Sequence, residues 1–598
     1  MVAKDLYSKI QKLYNAEQYE YNTRKLNKLE ETVSHCDFDK STAFVAEAMK
    51  QAGFEQVERI AMKADGVTSA FDAVMPEAWD LTGRSYLEVV GDWPEDTPRL
   101  LADTDEIKFA VGTWCGSTPA EGSTGEVVVF DPNDYDKVRG KWVFYDGLPK
   151  PVGHKLYEAG ALGIISTDLT QGEDDPDATR WMNGVGRWGW YYLKDEPHIP
   201  VFSITARRSK ALLGELEKGH KVTVRGVINT RIYEGEIYTV TGVIPGESDE
   251  EFALFAHLYE PFLFDDACGF AACVEIGRMI KELKLKSSKT LRVVFSMEHY
   301  GFAQYLNSRL ADGKILAALN MDGVASLVYR ELGDPLSLRK SPVCNPFFGE
   351  LLMQALLADL TPELRWKGEY GSLSDDTFGS DPMINIPTNW LMTPSNVYHH
   401  TSGRLFADVD WDLSGEMIKL QTVYLAFMLS ADKVDMQNSL ERFKQLAQLE
   451  LDEKDTPFAR KVKCDFMLDQ LLSCNRIVPG SVDAEDIKNW VDQYRLPDAD
   501  LPVDNAVEAE AAKLVVLRKQ IGSPWSLARI PLAEKRKFAY AANPLHIALF
   551  DGRRSVLEAV KTANVFNGNS MMSEAKLQAM LDFLYYMEKY GYWQIVRR

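Results

Sequence analysis

The chain has 598 residues, 45% of them hydrophobic, and is therefore long enough for about two to four globular domains. A formal net charge of −21 excludes nucleic acid and anionic membrane surfaces as expected partners. No run of about 18 apolar residues is present, so the sequence predicts no membrane-spanning helix.

The seven cysteines are scattered along the chain and show no CxxC spacing. The first residues are charged and amphipathic, without an apolar stretch of signal-peptide length. Because the cysteine count is odd and no export signal is visible, we expect reduced thiols and a cytoplasmic protein. Oligomeric state is not readable from the sequence, and a homo-oligomer is left open.

A helix is predicted in residues 1–85. Ser41 and Thr42 precede the segment AFVAEAMKQAGF, whose apolar residues recur with a period near 3.6, and Gly53 marks its predicted end. We expect this helix to pack against a sheet whose strands come from later in the chain.

Residues 86–235 form a β-rich segment in which short strand patterns such as GEVVVF, GKWVFYDG and IPVFSI alternate with turns. From Gly125 to Val227 the order of strands and helices resembles the protease-associated (PA) domain, a module often inserted in aminopeptidases. The interval RWMNGVGRWGWYY, residues 180–192, departs from that module. Its aromatic side chains either pack as local core, the favoured interpretation, or line a substrate groove.

Residues 236–435 alternate between strand and helix patterns, which predicts a mostly parallel sheet with helices on both faces. Residues 440–598 are rich in helix patterns and acidic linkers. Their last part has three helix patterns and a terminal strand, and it resembles a winged-helix module. Because its flanks are acidic and it lacks a basic recognition stripe, we expect packing or dimerisation rather than DNA binding.

Polar side chains recur where the strands of residues 236–435 end. They are His257, Asp265, Glu298 with His299, Asp322, and His399 with His400. Ligands of open α/β sheets bind outside the carboxyl ends of the strands, so these residues are expected to converge. Imidazole and carboxylate together suit Zn²⁺, and one carboxylate can bridge two ions.

The order of these motifs, H…DDACG…VVFSMEH…NMDG…SDDTF…IPT…YHHTS, resembles the M28 clan of zinc aminopeptidases. The resemblance implies a doubly wound peptidase domain made of residues 1–85 and 236–435, an inserted PA-like domain at 86–235 and a C-terminal domain at 440–598. It also implies that His257, Asp265 and Asp322 hold one zinc ion. Asp265 would bridge to a second zinc ion, which His299 and His400 hold, and Glu298 would be the general base.

Three positions depart from the family pattern. Tyr259 stands where the family has an aspartate that hydrogen-bonds the first histidine, so Glu260 or Asp266 is the expected substitute. His299 replaces a glutamate, which removes a negative charge from the ligand set. His399 and His400 both match the last ligand position, and the spacing to the following residues favours His400.

The leading functional hypothesis is a zinc-dependent aminopeptidase that hydrolyses the N-terminal amide bonds of peptides or aminoacyl amides. The departures at Tyr259 and His299 motivate an alternative, in which an eroded site leaves a binding or scaffold protein. A third hypothesis is hydrolysis of a non-peptide amide, which the sequence does not separate from the first.

Overall fold

The computed structural model of the chain describes residues 3–168, 173–183, 193–194, 196–371, 373, 375–394, 398–497, 499–535, 543–567 and 572–598. The chain begins with helices α1 Ala3–Leu13, α2 Ala16–Glu30 and α3 His35–Gln51, followed by strands β1 Glu55–Ala64, β2 Ser69–Ala70, β3 Ala73–Val74 and β4 Ala78–Leu81. The predicted helix is α3, which starts earlier than expected and ends just before Gly53, a residue with φ of +89°.

The next part of the chain is the β-rich segment. Its described elements are β5 Tyr86–Val90, β6 Leu100–Asp103, β7 Ser123–Val129, β8 Trp142–Asp146, α4 Gly153–Glu158, β9 Gly163–Thr167, β10 Val201–Ser203, α5 Ala206–Glu217 and β11 Thr223–Val227. The seven strands form one sheet in the order β10-β9-β8-β7-β11-β5-β6. Its identification as a PA-like domain stays a prediction, and residues 184–192 of the aromatic interval lie outside the described residues.

The third part alternates strands and helices. Its elements are β12 Thr230–Tyr233, β13 Gly235–Ile244, β14 Glu251–Leu258, α6 Ala267–Leu283, β15 Thr290–Met297, α7 Tyr300–Arg309, β16 Ile315–Asn320, α8 Val328–Glu331, β17 Leu336–Lys340, α9 Gly349–Leu360, β18 Trp366–Tyr370, β19 Thr388–Met392, α10 Arg404–Ala407 and α11 Trp411–Ser430.

The last part is mainly helical. Its described elements are α12 Lys433–Leu451, α13 Pro457–Leu472, α14 Cys474–Ile477, α15 Ala484–Asp492, α16 Ala506–Ala511, β20 Leu514–Arg518, α17 Leu532–Lys535, α18 Pro544–Ala548, α19 Val556–Asn567, α20 Glu574–Lys589 and β21 Trp593–Arg597. The terminal strand β21 pairs antiparallel with β20. The winged-helix interpretation stays a prediction. No helix among the described residues is both long and apolar enough to cross a membrane.

The larger sheet has the strand order β1-β13-β15-β14-β16-β19-β17-β18. Its centre is parallel, because β14 pairs parallel with both β15 and β16, and β16 pairs parallel with β19. Antiparallel pairings join β1 to β13, β13 to β15 and β17 to β19. The sheet is therefore mixed, and the expected parallel arrangement holds for its centre, where the strands alternate with helices.

Helices cover both faces of this sheet. Ala256 of β14 lies beside Phe295 of β15, and the ring of Phe295 contacts Phe270 of α6, with centroids 5.2 Å apart. The neighbouring residue Phe255 points to the other face, because side chains alternate along a strand, and its ring contacts Phe302 of α7 at 5.3 Å. Helices α6 and α7 therefore pack on opposite faces, as the doubly wound prediction requires.

The C-terminal part packs on the larger sheet's domain through buried polar contacts. Arg518 and Asp381 form an ion pair of 2.6 Å in which both side chains are less than 5% exposed. Asp72 accepts hydrogen bonds from the Tyr592 hydroxyl at 2.8 Å and from the backbone N–H of Leu527 at 2.8 Å. These contacts fix the segment around Leu527 next to the β2–β3 hairpin, on the side where α7 begins.

A buried histidine near the start of α3 makes stability depend on pH. Burial lowers the pKa of His35 to about 4, although Asp80 and the Trp79 backbone act in the opposite direction. The folded-state pKa lies below the ordinary value near 6.5, so this stability is present above pH 6.5 and is lost as pH falls towards 4. We expect the urea midpoint to fall between pH 7 and pH 5, and His35→Gln to flatten that slope. An equally steep slope in the variant would contradict this assignment.

Candidate metal centre

The parallel strands place the predicted residues at one edge of the larger sheet. His257 is the last but one residue of β14, Glu298 follows β15 directly, and Asp322 follows β16 by two residues. Asp265 lies in the loop between β14 and α6. Every residue of β14 is buried, which fixes the end of that strand rigidly within the core.

His257 and Asp265 form the centre of the cluster. The Nε2 atom of His257 lies 3.0 Å from Oδ1 of Asp265 and 3.6 Å from Oδ1 of Asp322. The other carboxylate oxygen of Asp265, Oδ2, lies 3.5 Å from Nε2 of His400. Asp265 therefore stands between two imidazoles that come from distant parts of the chain.

Among the described residues, three groups of side chains have ligand atoms within 4.8 Å of one another: His257 with Asp265 and Asp322, Asp265 with His399 and His400, and His257 with Glu260 and Glu298. Asp265 belongs to two of these groups and His257 to two. These groups contain five of the six side chains predicted for the site, and His400 is one of the five. His399 lies beside them.

His299 does not belong to any of these groups. It has a positive φ of 53°, in the turn between β15 and α7. Its buried ring packs against Trp525 and Phe378, with centroids 4.1 and 5.0 Å apart. Glu298 and His299 are adjacent in sequence, but only Glu298 lies with His257. The position of His299 therefore gives no support to its predicted role as a ligand, which stays a prediction.

Glu260 lies where the sequence had placed only a supporting side chain. Its Oε2 atom is 3.3 Å from Nε2 of His400, and its carboxylate belongs to the group with His257 and Glu298. It follows β14 by two residues, which is the signal by which sequence reasoning would have found it as a ligand candidate.

Asp266 and Tyr259 have structural contacts. The Asp266 carboxylate accepts hydrogen bonds from the backbone N–H of His257 and of Gly269, each at 3.1 Å, and so caps the start of α6. The Tyr259 hydroxyl donates to the Tyr238 carbonyl at 2.6 Å, away from the cluster. Of the two substitutes expected for the missing aspartate, Asp266 thus reaches the backbone of His257.

His399 and His400 stack on each other, with ring centroids 3.7 Å apart. His400 approaches two carboxylates through one nitrogen, and the Trp181 ring meets it edge-on at 5.0 Å. Both histidines remain within reach of Asp265, so the preference for His400 stays a prediction that its two carboxylate contacts favour.

The buried carboxylates and imidazoles of the cluster act on one another electrostatically. Burial raises the pKa of Glu260, and the neighbouring Asp265 adds to the effect. Burial also raises the pKa of Asp265, but hydrogen bonds with His257 and His400 outweigh it and hold that pKa below its ordinary value. Oδ1 of Asp265 and Oε2 of Glu260 are buried, and they face Nε2 of His257 at 3.0 Å and Nε2 of His400 at 3.3 Å, respectively. Buried carboxylates normally have hydrogen bonds, ion pairs or metal ions, and this donor set fits zinc.

The β-rich segment forms one wall of the site. The backbone N–H of Trp181 donates to the His400 carbonyl at 2.7 Å, and Thr179 and Ser402 exchange hydrogen bonds of 2.9 Å. Trp181 is fully buried, which favours the local-core interpretation for this part of the aromatic interval. A cavity of about 390 Å³ is lined by residues of the β-rich segment and of the larger sheet's loops, including Lys150, Arg180, Asp265, Glu298, Asp322 and His400.

The fold is shared with known peptidases. A search with family models found no match to the sequence, and a search of curated proteins found none either. Among solved structures, an M28 peptidase precursor from Shewanella amazonensis aligns with a TM-score of 0.53 at 17% identity, over 72% of this chain and 96% of its own. A zinc aminopeptidase from Bacillus subtilis aligns with a TM-score of 0.51 at 12% identity, over 70% of this chain and 96% of its own.

A third structure extends the likeness to the C-terminal part. It is a candidate peptidase from Clostridium acetobutylicum, with a TM-score of 0.50 at 13% identity, and the alignment covers 99% of this chain and 100% of that one. Identities this low establish similarity of fold alone. The chain therefore has the fold of M28 peptidases and zinc aminopeptidases, as the sequence resemblance predicted.

Proposed function

We propose that the chain is a zinc-dependent aminopeptidase that hydrolyses N-terminal amide bonds of short peptides. One observation supports the proposal above all: Asp265, Asp322 and His400 line one cavity together with Glu298, and His257 lies in contact distance of this cluster. This donor set is the one that resemblance to the M28 clan implies, with the exception of His299.

His257, Asp265 and Asp322 would hold one ion, and Asp265 with His400 would hold a second. We propose Glu260 as the carboxylate of the second group, in place of His299, because it lies 3.3 Å from His400. Zinc at such a site supplies Lewis acidity, which makes water nucleophilic and polarises an amide carbonyl.

Glu298 is the proposed general base. It lies within the group formed with His257 and Glu260, and it lines the cavity. A carboxylate in that place can take a proton from the attacking water and return it to the leaving amine. Glu260 and Asp265 are buried, which strengthens the electrostatic interactions of their carboxylates with the neighbouring histidines.

The scaffold alternative has one specific observation in its favour, the position of His299 among aromatic rings. A single experiment with the zinc-loaded protein distinguishes a hydrolase from a scaffold protein. We expect turnover in a panel of aminoacyl p-nitroanilides, dipeptides and N-acylated amino acids, and we expect a chelator to abolish it and zinc to restore it. Stoichiometric zinc without any turnover would favour the scaffold. Turnover of the N-acylated amino acids alone would favour a non-peptide amidase.

A further inference from the structure

Two cationic side chains of the β-rich segment line the candidate site. Lys150 lies in the loop between β8 and α4, and Arg180 lies in the segment that pairs with the loop carrying His400. Both line the same cavity of about 390 Å³ as Asp265, Glu298 and Asp322. The chain has a net charge of −21. Two cationic side chains beside this cluster of carboxylates therefore indicate that the cavity needs positive charge for its function.

Arg180 is held in place from three sides. Its backbone pairs with Thr401 in an isolated antiparallel bridge, its carbonyl accepts a hydrogen bond of 2.6 Å from Ser203, and its guanidinium pairs with Asp168. The Nε atom is buried and has no hydrogen-bond partner among the described residues. The guanidinium therefore retains donor capacity beyond the Asp168 contact, and planar guanidinium groups bind carboxylates through paired N–H donors.

Lys150 has fewer contacts than Arg180 among the described residues. Within the part of the chain that the structure describes, its ammonium forms no ion pair within 4.0 Å, and the carboxylate that acts on it electrostatically is Glu196. Burial lowers the pKa of Lys150, and Glu196 partly offsets this. The loop is fixed, because the Pro149 carbonyl accepts hydrogen bonds from Val152 and Gly153 at 3.0 and 2.8 Å. A partly buried ammonium on a fixed loop is stabilised when an anion enters the cavity.

We propose that this cavity selects substrates that carry a carboxylate, which Lys150 and Arg180 bind while the amide bond lies at the His257–Asp265 cluster. The inference rests on the proposed function for the identity of the scissile bond. The carboxylate comes either from an acidic side chain or from the C-terminus of a short peptide. The cavity volume lies at the lower end of the range for small-molecule sites, about 300–1,000 Å³, which favours substrates of two or three residues.

Matched substrate pairs test the selection. The zinc-loaded protein is assayed with dipeptides and their C-terminal amides, and with Glu-X and Gln-X pairs, so that each pair differs by one carboxylate. We expect kcat/KM to favour the carboxylate by about tenfold to a hundredfold in one of the two sets, which identifies its source. Lys150→Gln should lower that ratio at least about tenfold, and Lys150→Arg should retain most of it. Lys155→Gln, an exposed lysine of the same segment, is the matched control and should leave the ratio unchanged.

Binding measurements separate this inference from the hydrolase proposal. Calorimetry on the Glu298→Gln protein compares the affinities of the same pairs, with and without Lys150→Gln. The wild type could show no turnover and still bind the carboxylate ligands preferentially in a manner that depends on Lys150. That result would support the subsite proposal and overturn the hydrolase proposal. Equal kcat/KM and equal affinity within every pair would overturn the subsite, as would a preference that persists in both Lys150→Gln and Arg180→Gln. A preference for phosphate-bearing ligands over carboxylates would also overturn it.

Discussion

Replacement of Asp265 with asparagine is expected to remove at least one of about two zinc ions per chain and to lower turnover more than about 10³-fold. The reason is the position of its two oxygens, 3.0 Å from Nε2 of His257 and 3.5 Å from Nε2 of His400. Both ligand groups thus share this carboxylate, and an amide provides one neutral oxygen in its place. Elemental analysis of the purified variant and its rate on the best dipeptide measure the two effects.

Asp249→Asn provides the matched control for this substitution, because Asp249 is 79% exposed and pairs with Lys314 at the surface. It should leave both zinc content and rate unchanged. If Asp265→Asn kept its zinc and its rate, the carboxylate would not be shared between two ions, and the arrangement proposed here would have to be abandoned.

Replacement of Glu298 with glutamine is expected to give the opposite combination, with zinc retained and turnover lowered about 10²- to 10⁴-fold. Glutamine preserves the shape of the side chain but does not accept a proton from water. Glu260→Gln is the informative comparison, because Glu260 belongs to the same group of side chains and is proposed to bind the ion. It should lose zinc.

The two variants therefore assign the roles of the two glutamates. Zinc loss in Glu298→Gln together with retention in Glu260→Gln would exchange the assignments of ligand and base. Unchanged turnover in Glu298→Gln would show that another group accepts the proton.

The sequence predicted the site residues best where a metal-binding or catalytic side chain lies at the end of a strand. His257, Glu298 and Asp322 each end a buried apolar run, and a parallel sheet brings such ends to one edge, so their convergence follows from local pattern and general topology. The mixed character of the sheet was not predictable in the same way. Whether β17 runs parallel or antiparallel to β19 depends on the path of the chain between them, and the side-chain pattern of either strand is compatible with both.

The surroundings of the cluster depend on contacts between distant segments. The ring of His299 lies against Trp525, a residue more than two hundred positions further along the chain, and no local pattern signals that contact. Arg180 reaches the cavity because its segment pairs with Thr401. Glu260 and His299 are both metal-capable side chains after a strand, and only the three-dimensional course of the two turns places Glu260 beside His400.

Zinc-edge anomalous diffraction from crystals of the zinc-loaded protein tests the proposed centre most directly. We expect about two anomalous peaks per chain, both in contact with Asp265, one beside His257 and Asp322 and the other beside His400 and Glu260. Zinc-loaded crystals without a peak at these residues, or with peaks only at other parts of the surface, would contradict the proposal that this cluster is a catalytic metal site.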